Sequence, residues 1–405
     1  MKQDRNSTPF SRRSFLHLSA AASTVAAMHI VTEPMLAHAA AKNRPLNAVK
    51  GAVMINANEN PLGPCIAARE AISSMAALGG RYSTEMTDDL VQLVAKVEGL
   101  KPNYIQLYPG SSGPLHHSVL SYTSPSKSYV TADPGYEAGM EAAKITGARV
   151  VKVPLTKSYS HDVKAMVAAA PDAGMFYICT PNNPTGTLTS HADIEYVVEN
   201  KPKGAVVVVD EAYLHFCDAP SALDLVKAGK DVVVLRTFSK IYGMAGIRCG
   251  MAFARPDLLE KISGFSGWNA MPITAVAAAT ASLNAPHLLP ERKAVNAKIR
   301  GEVFEWLDRN AYSYVPSHSN CFMLDTKRPA KQVINAMAAE GVMIGRIWPA
   351  WPTHARITVG TSAEMDRFQE AFKKVMSGTV SRAWAEPNVV AKNAKRNFDG
   401  LVLPA

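Results

Sequence analysis

The stretch at residues 237–248 reads Thr237-Phe238-Ser239-Lys240-Ile241-Tyr242-Gly243-Met244-Ala245-Gly246-Ile247-Arg248. It follows a β-branched run, residues 231–237, that is typical of a buried strand in an α/β sheet. Lys240 therefore stands at the exit of a strand, with a serine beside it and Arg248 eight positions later (248 − 240). A lysine in this setting can form an imine with an aldehyde while its neighbours hold an anion. These two tasks suggest pyridoxal phosphate, and a solvated surface Ser-Lys turn is the alternative.

The size and composition of the chain limit the classes of protein to consider. With 405 residues, 47% of them hydrophobic, the chain can bury a large core and form a second, smaller domain. The net charge is +9, but the basic residues are scattered, which disfavours nucleic-acid binding and fits an anionic substrate or no charged partner. The cysteines lie far apart, so neither a metal site nor a disulfide is expected: Cys65, Cys179, Cys217, Cys249 and Cys321.

The first forty residues resemble an export signal. Ser11-Arg12-Arg13-Ser14-Phe15-Leu16 is a twin-arginine pattern, an apolar segment from Leu18 to Val31 follows, and Ala37-His38-Ala39 is a candidate cleavage site. We therefore predict a signal peptide at residues 1–40 and a periplasmic enzyme that meets the twin-arginine translocation machinery. That route carries folded proteins, which suits an enzyme loaded with a bound cofactor before export. The alternative is an amphipathic helix that stays on the protein.

A polar, turn-rich arm and a serine-rich turn come next. Residues 55–64 contain prolines that forbid regular helix, so we expect an extended arm within residues 41–80, ending in a helix at 66–78. Further on, a strand at 105–108 enters Pro109-Gly110-Ser111-Ser112-Gly113, with a helix after it at 114–122. Ser111 and Ser112 with free backbone N–H groups could hold a phosphate. A plain strand-to-helix turn fits equally well.

Three further side chains follow predicted strands in the middle of the chain. Tyr136 comes after the strand at 128–131 and could stack on a flat ring, although a lone tyrosine is more often core. Asn183 follows the strand at 175–179, and Asp210 ends the apolar run 205–209. A buried carboxylate needs a partner, and a protonated pyridine nitrogen is a good one. An N-cap of the next segment is the other reading of Asp210.

Taken in order, these motifs resemble class I/II pyridoxal-phosphate aminotransferases of the aspartate aminotransferase fold. The matching stretches are Pro-Asn-Asn-Pro-Thr-Gly at 181–186, Val-Asp-Glu-Ala-Tyr at 209–213, and Thr-Phe-Ser-Lys at 237–240 with Arg248. The arm at 58–64 and the segment 356–361 are similar to the histidinol-phosphate aminotransferase group. The resemblance covers about residues 50–376. It implies a fold type I, α/β enzyme with a large domain around a mostly parallel sheet and a small α+β domain.

The resemblance also implies roles for individual residues. Lys240 would carry the cofactor as an internal aldimine and then move a proton, beside Asp210 and Tyr213 as the other catalytic residues. Asn183 and Tyr213 would hold the ring oxygen, and Tyr136 would cover the ring. The phosphate ligands implied are Ser111, Ser112, Thr237, Ser239 and Arg248.

Two further groups of residues carry implications for assembly and substrate. Tyr82 matches a residue that reaches the neighbouring subunit's phosphate, so the resemblance implies a homodimer with shared sites. Arg356 would bind the substrate carboxylate through two parallel hydrogen bonds from its planar guanidinium, which a lysine could not provide. Asn58, in the arm, is the second expected substrate-binding residue.

The chain departs from the histidinol-phosphate group at two places. The turn at 110–113 lacks the two acidic residues usual there, and Gly345 precedes Arg346 where the group usually has an arginine directly after the apolar run. The shifted position of Arg346 weakens the case for a substrate phosphate. Trp348 and Trp351 could form an aromatic wall facing the substrate or a packed loop. Export would also fit poorly with histidine biosynthesis.

The predicted domains are a large cofactor-binding domain at 81–288, a small domain at 289–377 and a tail at 378–405. We expect a transaminase moving an amino group between an amino acid, or a related amine, and a 2-oxo acid. A decarboxylase, lyase or oxidase on the same scaffold is the alternative, because all these reactions begin from one stabilised carbanion. A cofactor-free binding protein of the cell envelope is a third possibility, which the intact Lys240 disfavours.

Overall fold

A computed structural model describes residues 30–33, 35–36, 51–266 and 271–378. The twin-arginine pattern, the candidate cleavage site and the predicted tail after residue 378 lie outside these ranges. Within them, no helix combines the length and the apolar character needed to cross a membrane.

The described chain alternates strands and helices through its first two thirds. The strands are β1 (Val53–Ile55), β2 (Ile105–Tyr108), β3 (Ser128–Asp133), β4 (Val150–Pro154), β5 (Ala173–Cys179), β6 (Val206–Asp210), β7 (Val232–Thr237), β8 (Gly250–Phe253), β9 (Ser313–Tyr314), β10 (Cys321–Asp325), β11 (Val342–Ile344) and β12 (His354–Thr358). The helices are α1 (Ile66–Met75), α2 (Thr84–Glu98), α3 (Ser112–Tyr122), α4 (Ala138–Thr146), α5 (Val163–Ala169), α6 (His191–Asn200), α7 (Leu223–Lys227), α8 (Pro256–Ser263), α9 (Ile273–Leu283), α10 (Leu288–Arg309), α11 (Ala330–Ala339) and α12 (Ser362–Met376).

The large sheet has seven strands in the order β2-β8-β7-β6-β5-β3-β4. Neighbouring strands from β7 to β4 run parallel, whereas β8 pairs antiparallel with both β7 and β2. The central strands are buried along their whole length, because helices cover both faces of a parallel sheet. Their near-continuous apolar sequences, such as Val206–Val209, follow from that burial. The predicted α/β fold with a mostly parallel sheet is confirmed.

Strand register brings the carboxyl ends of the central strands to one edge. Cys179, the last residue of β5, pairs with Asp210, the last residue of β6. Asp210 in turn pairs with Leu235 in β7, which ends two residues later at Thr237. Because parallel strands all point the same way, every loop that follows them opens at this edge. The residues after these strands therefore meet in space although they are far apart in sequence.

The C-terminal part forms a second core. Strands β12, β10 and β9 make an antiparallel sheet, and β1 from the N-terminal arm pairs in parallel with β11. Val53 and Ile55 of the arm are buried among side chains of α10, α11 and α12. The arm predicted as extended thus contributes a strand to this unit. A capping box at Thr361 and Glu364 begins α12, and Gly99 in the left-handed conformation ends α2, as its position in the sequence predicts.

Candidate active site

One cavity at the carboxyl edge of the large sheet is lined by most of the predicted site residues. They are Ser111, Ser112, Tyr136, Asn183, Asp210, Tyr213, Thr237, Ser239, Lys240 and Arg248. Asn58 and Arg356 lie just behind this lining and bond to residues within it. Tyr82 is 70% exposed and does not line the cavity of its own chain. Its predicted contact is with a neighbouring subunit, so that role stays a prediction.

Lys240 is buried at the turn that follows β7. Its Nζ donates a hydrogen bond to the backbone oxygen of Asn58 at 3.1 Å and lies 5.4 Å from the centre of the Tyr213 ring. Burial lowers the pKa of the Lys240 amine, and the carboxylate of Glu33 opposes this effect only in part. A lowered pKa leaves more of the amine in the neutral, nucleophilic form. Lys240 is therefore suited to attack an aldehyde.

Asp210 is a buried carboxylate that lacks a cationic partner. Its Oδ2 accepts a hydrogen bond from the Tyr177 hydroxyl at 2.9 Å, and its Oδ1 accepts one from the backbone N–H of Ala212 at 3.0 Å. Of the basic side chains in the described ranges, none lies within ion-pair distance of it. Burial raises its pKa to about 6, although the two hydrogen bonds act in the opposite direction. A cation placed beside Asp210 in the cavity would offset the cost of burying its negative charge.

The start of α3 and the turn after β7 face each other as a cradle for an anion. Ser111 and Ser112 line the cavity, and the Ser111 side chain caps no backbone group, so N–H groups of the first turn of α3 lack a side-chain partner there. Across from it, the hydroxyls of Thr237 and Ser239 bond to each other at 2.9 Å. The Arg248 guanidinium lies 3.3 Å from the Ser239 hydroxyl and donates to the Pro109 carbonyl at 3.1 Å. The arrangement suits a phosphate group.

Two separate sets of polar contacts hold the asparagines near Lys240 and Arg356. The amide nitrogen of Asn58 donates to the Tyr213 hydroxyl at 3.0 Å, beside the aromatic face near Lys240. The amide oxygen of Asn183 accepts from Arg356 Nη1 at 2.8 Å. Asn183 is therefore held by the arginine on one side, and its predicted contact with a ring oxygen is left as a prediction.

Two arginines lie side by side behind the cavity because the backbone after β11 pairs with β12. Gly345 N–H donates to the Arg356 carbonyl at 2.8 Å, and Arg356 N–H donates to the Arg346 carbonyl at 3.3 Å. Arg356 is fully buried and Arg346 is 6% exposed. The Nε atom of each guanidinium has no hydrogen-bond partner among the described residues. The one-residue shift noted in the sequence therefore leaves Arg346 at the site.

Glu33 lines the cavity and was not among the predicted site residues. Its carboxylate accepts from Arg356 Nη2 at 2.5 Å and from Arg346 Nη2 at 3.0 Å, and Asn183 Nδ2 lies 3.4 Å away. It lies within the predicted signal peptide at residues 1–40. One signal could have found it, since Glu33 is the only acidic residue between Asp4 and Glu59. An isolated acid within an apolar segment needs a partner.

The two tryptophans of the loop after β11 pack against protein and do not line the cavity. Trp348 is almost fully buried, donates from Nε1 to the Gly135 carbonyl at 2.8 Å, and lies 4.6 Å from the Arg346 guanidinium carbon. Trp351 packs edge-on against Tyr159. Of the two readings of this loop, the packed loop fits better. Its contribution to the site is to support the arginines through cation–π contacts.

The cavity fits pyridoxal phosphate on grounds of charge and hydrogen bonding. Asp210 would meet the ring nitrogen, the cradle of Ser111, Ser112 and Arg248 would hold the phosphate, and Lys240 would bind the aldehyde carbon. A buried acid without a cation and a turn with open N–H groups are the features that such a molecule would complete. When bound, this cofactor supplies an electron sink for a carbanion at the substrate's α-carbon.

A doubly covered α/β sheet with a lysine, an acid and a phosphate cradle at one edge defines a pyridoxal-phosphate-dependent enzyme of fold type I. Residues 51–372 match the family model described as aminotransferase class I and II, and the chain belongs to this family. A histidinol-phosphate aminotransferase from Symbiobacterium thermophilum is 34% identical over 80% of this chain and 90% of its own length.

Two other relatives support the same assignment. An aromatic amino acid aminotransferase from Cutibacterium acnes is 31% identical over 81% of this chain and 94% of its own. The crystal structure of histidinol-phosphate aminotransferase from Sinorhizobium meliloti, in complex with pyridoxal-5'-phosphate, superposes with a TM-score of 0.76 at 25% identity. It covers 88% of this chain and 97% of its own. The chain is thus a pyridoxal-phosphate-dependent transaminase, and the predicted cofactor is confirmed.

Proposed function

We propose that this transaminase moves the amino group of an α-amino acid to a 2-oxo acid and recognises both substrates by their carboxylate. The observation that carries the proposal is Arg356. It is fully buried, it bonds to cavity-lining Asn183, and it already holds a carboxylate, that of Glu33. A buried guanidinium pairs with a carboxylate in a planar, bidentate manner that no other side chain reproduces. Histidinol phosphate carries no carboxylate.

The residues of the cavity divide the work of such a reaction. Arg356 positions the substrate so that its α-carbon faces Lys240. The amine of Lys240, with its lowered pKa, would take the proton from the substrate's α-carbon and deliver it to the aldehyde carbon of the cofactor, two bonds away. Asp210 keeps positive charge on the cofactor ring, and Tyr177 holds the Asp210 carboxylate in place by its hydrogen bond. Burial of the whole set excludes water and strengthens each electrostatic contact.

Arg346, the second arginine of the site, bears on which amino acids the cavity accepts as substrates. Arg346 stands beside Arg356, shares the carboxylate of Glu33 and also bonds to Glu137 at 2.8 Å. A substrate with one carboxylate would therefore lie between two guanidinium groups. Relatives are named for histidinol phosphate and for aromatic amino acids. Because only the amino acids of these two classes carry a carboxylate for the arginines, aromatic amino acids are the first class to assay.

The test of the reaction is a substrate panel on the full chain loaded with pyridoxal phosphate. Phenylalanine, tyrosine, glutamate and histidinol phosphate are each supplied with a 2-oxo acid, and the keto acid formed is measured. We expect turnover with an amino acid, and we expect Arg356→Lys to lower kcat/KM by roughly 100-fold through loss of the bidentate contact. Carbon dioxide release or oxygen consumption without a keto acid would point to the alternative chemistry.

Lys240→Ala serves as the control for cofactor attachment. Borohydride treatment should fix the cofactor to Lys240 of the native chain and raise the mass of the peptide that contains it. The Lys240→Ala protein should gain no such mass. Equal labelling of both proteins would overturn the role of Lys240.

We also propose that the enzyme is exported through the twin-arginine route and acts in the periplasm as a homodimer. The paired arginines at 12 and 13 support export, and the exposed position of Tyr82 is compatible with a contact to a second subunit. Replacing both arginines by lysine should keep the protein in the cytoplasmic fraction.

The homodimer is tested separately. Light scattering should give twice the chain mass of 43.5 kDa, and Tyr82→Phe should weaken cofactor binding if the hydroxyl reaches a phosphate.

A further inference from the structure

The segment that carries Glu33 is held in the cavity at several points. The Val31 N–H donates to His116 Nε2 at 3.1 Å, and the Leu36 N–H donates to the Thr32 carbonyl at 3.1 Å, which closes one helical turn. Thr32 and Glu33 both line the cavity that contains Lys240. Val31 and Leu36 pack against the core of the large domain. Glu33 is therefore placed by its own segment, and its side chain is only 8% exposed.

The Glu33 carboxylate makes the contacts that a substrate carboxylate requires. One oxygen contacts Arg356 and the other contacts Arg346, at 2.5 and 3.0 Å. In the described chain, Arg356 has no other carboxylate partner, since its remaining bonds go to Asn183 Oδ1 and to the Asn56 carbonyl. Attraction by these two arginines and by Lys240 outweighs burial and lowers the pKa of Glu33 to about 2, so Glu33 is ionised at neutral pH.

We propose that residues 30–33 act as a tethered competitive inhibitor, in which the Glu33 carboxylate occupies the substrate-carboxylate site on Arg356 and Arg346. The proposal rests on the transaminase function for the identity of that site. The substrate carboxylate and the Glu33 carboxylate need the same Nη2 atoms of Arg356 and Arg346, so only one of them binds at a time. Because Glu33 belongs to the same chain, its effective concentration at the two arginines is on the order of millimolar. A free amino acid at a similar concentration would compete with it for the site.

The position of the segment gives the inhibition a role. Residues 30–33 precede the Ala37-His38-Ala39 sequence at which the predicted leader would be cut. Hydrolysis of the chain there by a signal peptidase would separate Glu33 from the enzyme. A precursor that folds and binds its cofactor before export would then bind amino acids more weakly than the enzyme from which the leader has been removed.

The test is the binding of a carboxylate probe to the cofactor-loaded full chain. Calorimetry gives the Kd of 3-phenylpropionate for the native protein, for Glu33→Gln and for Glu33→Ala. We expect both variants to bind the probe at least about 10-fold more tightly, because the site is available in every molecule instead of a small fraction. Glu141→Gln is the matched control, since this half-buried glutamate lies outside the cavity and, among the described residues, forms an ion pair with Lys144 alone, so the Kd should stay unchanged.

A melting experiment separates inhibition from a purely structural role of Glu33. Without Glu33, two buried guanidinium groups lose a carboxylate, so the Tm of the variants should fall and should recover with the probe. The native protein should show a smaller probe-induced rise. A variant too unstable to isolate alone should fold when the probe is added during refolding.

Two results would overturn the inhibition. They are an equal Kd for native protein and Glu33→Gln, and a lower Tm in the variant without any recovery by the probe. Because no turnover is involved, these results are independent of the reaction. A protein that binds the probe more tightly after the substitution but transaminates nothing in the panel would retain the tethered inhibitor and refute the proposed activity.

Discussion

Asp210 shows at the scale of one residue how a side chain can be costly to the fold and useful to the site. The cofactor-free protein keeps this carboxyl buried with a pKa of about 6, against 3.8 in an unfolded chain. Between these values the folded chain binds more protons than the unfolded chain. Its free energy of unfolding therefore falls as the pH rises from about 4 to about 6, by about 3 kcal/mol in total.

Asp210→Asn should remove this pH dependence. Asparagine keeps the shape and can still accept the hydrogen bond of Tyr177, but it carries no charge. We expect the cofactor-free variant to be more stable than the native protein at pH 7 by up to about 3 kcal/mol. Its activity with cofactor should fall by on the order of 100-fold or more, since a fixed charge at the ring is lost. Urea unfolding at pH 4.5 and pH 7 measures the first effect, and an unchanged slope with pH would contradict it.

At the scale of the element, the turn between β2 and α3 depends on a close approach of backbone to side chain. Gly110 has a φ of +85°, a conformation that costs other residues roughly 1–2 kcal/mol. A Cβ at this position would lie 2.0 Å from Nη2 of Arg248. A larger residue here would strain the backbone and displace the Arg248 guanidinium from the cradle.

Gly110→Ala should weaken cofactor binding by about 10-fold or more and lower stability by about 1–2 kcal/mol. The loss of affinity follows because Arg248 is displaced from its place beside Ser239. Gly246→Ala is the control, since a Cβ there meets no atom within 4 Å and the residue lies in the same segment as Arg248. Fluorescence titration with pyridoxal phosphate gives both affinities. Similar affinities of the two variants for pyridoxal phosphate would show that the turn at Gly110 does not contribute to phosphate binding.

At the scale of the whole molecule, the two cores meet where the loop after β5 contacts the segment before β10. The His318 N–H donates to the Gly186 carbonyl at 2.7 Å. Gly186 has a φ of +71°, and a Cβ on it would lie 1.9 Å from Ser317 Oγ and 2.8 Å from the Cys321 carbonyl oxygen. This contact is one of those that hold the unit carrying Arg356 against the unit carrying Lys240 and Asp210, together with the bond from Arg356 to Asn183.

Gly186→Ala should therefore separate the arginine from the lysine. We expect a stability loss about 1–3 kcal/mol greater than that of Gly204→Ala, a glycine with a similar φ of +82° and no atom within 4 Å of a Cβ. The KM for the amino acid should rise, whereas that of the control should not. Thermal unfolding and steady-state kinetics measure the two effects. Equal losses in both variants would show that only the backbone conformation matters.

Much of the site could be predicted from the sequence because its residues follow the ends of strands. The runs at 205–209 and 231–237 predicted buried strands, and ligands bind at the carboxyl ends of such strands, so the polar residues that follow them were candidates for a site. Asp210, Lys240 and Arg248 were found in this way. The resemblance to known aminotransferases then supplied Arg356 and Tyr213. Helix ends at residues such as Gly99 followed from local conformation alone.

The local chemistry of the sequence determined the class of fold, the cofactor and the lysine that would bind it, because strand burial and turn conformation depend on neighbours along the chain. Tertiary structure alone decided that β1 joins the small unit, that Arg346 lies beside Arg356, and that Glu33 pairs with both. Glu33 is 323 residues from Arg356 (356 − 33), and no periodicity or spacing relates residues so distant. Their pairing arises only when the buried guanidinium groups, once folded, need a carboxylate to balance their charge.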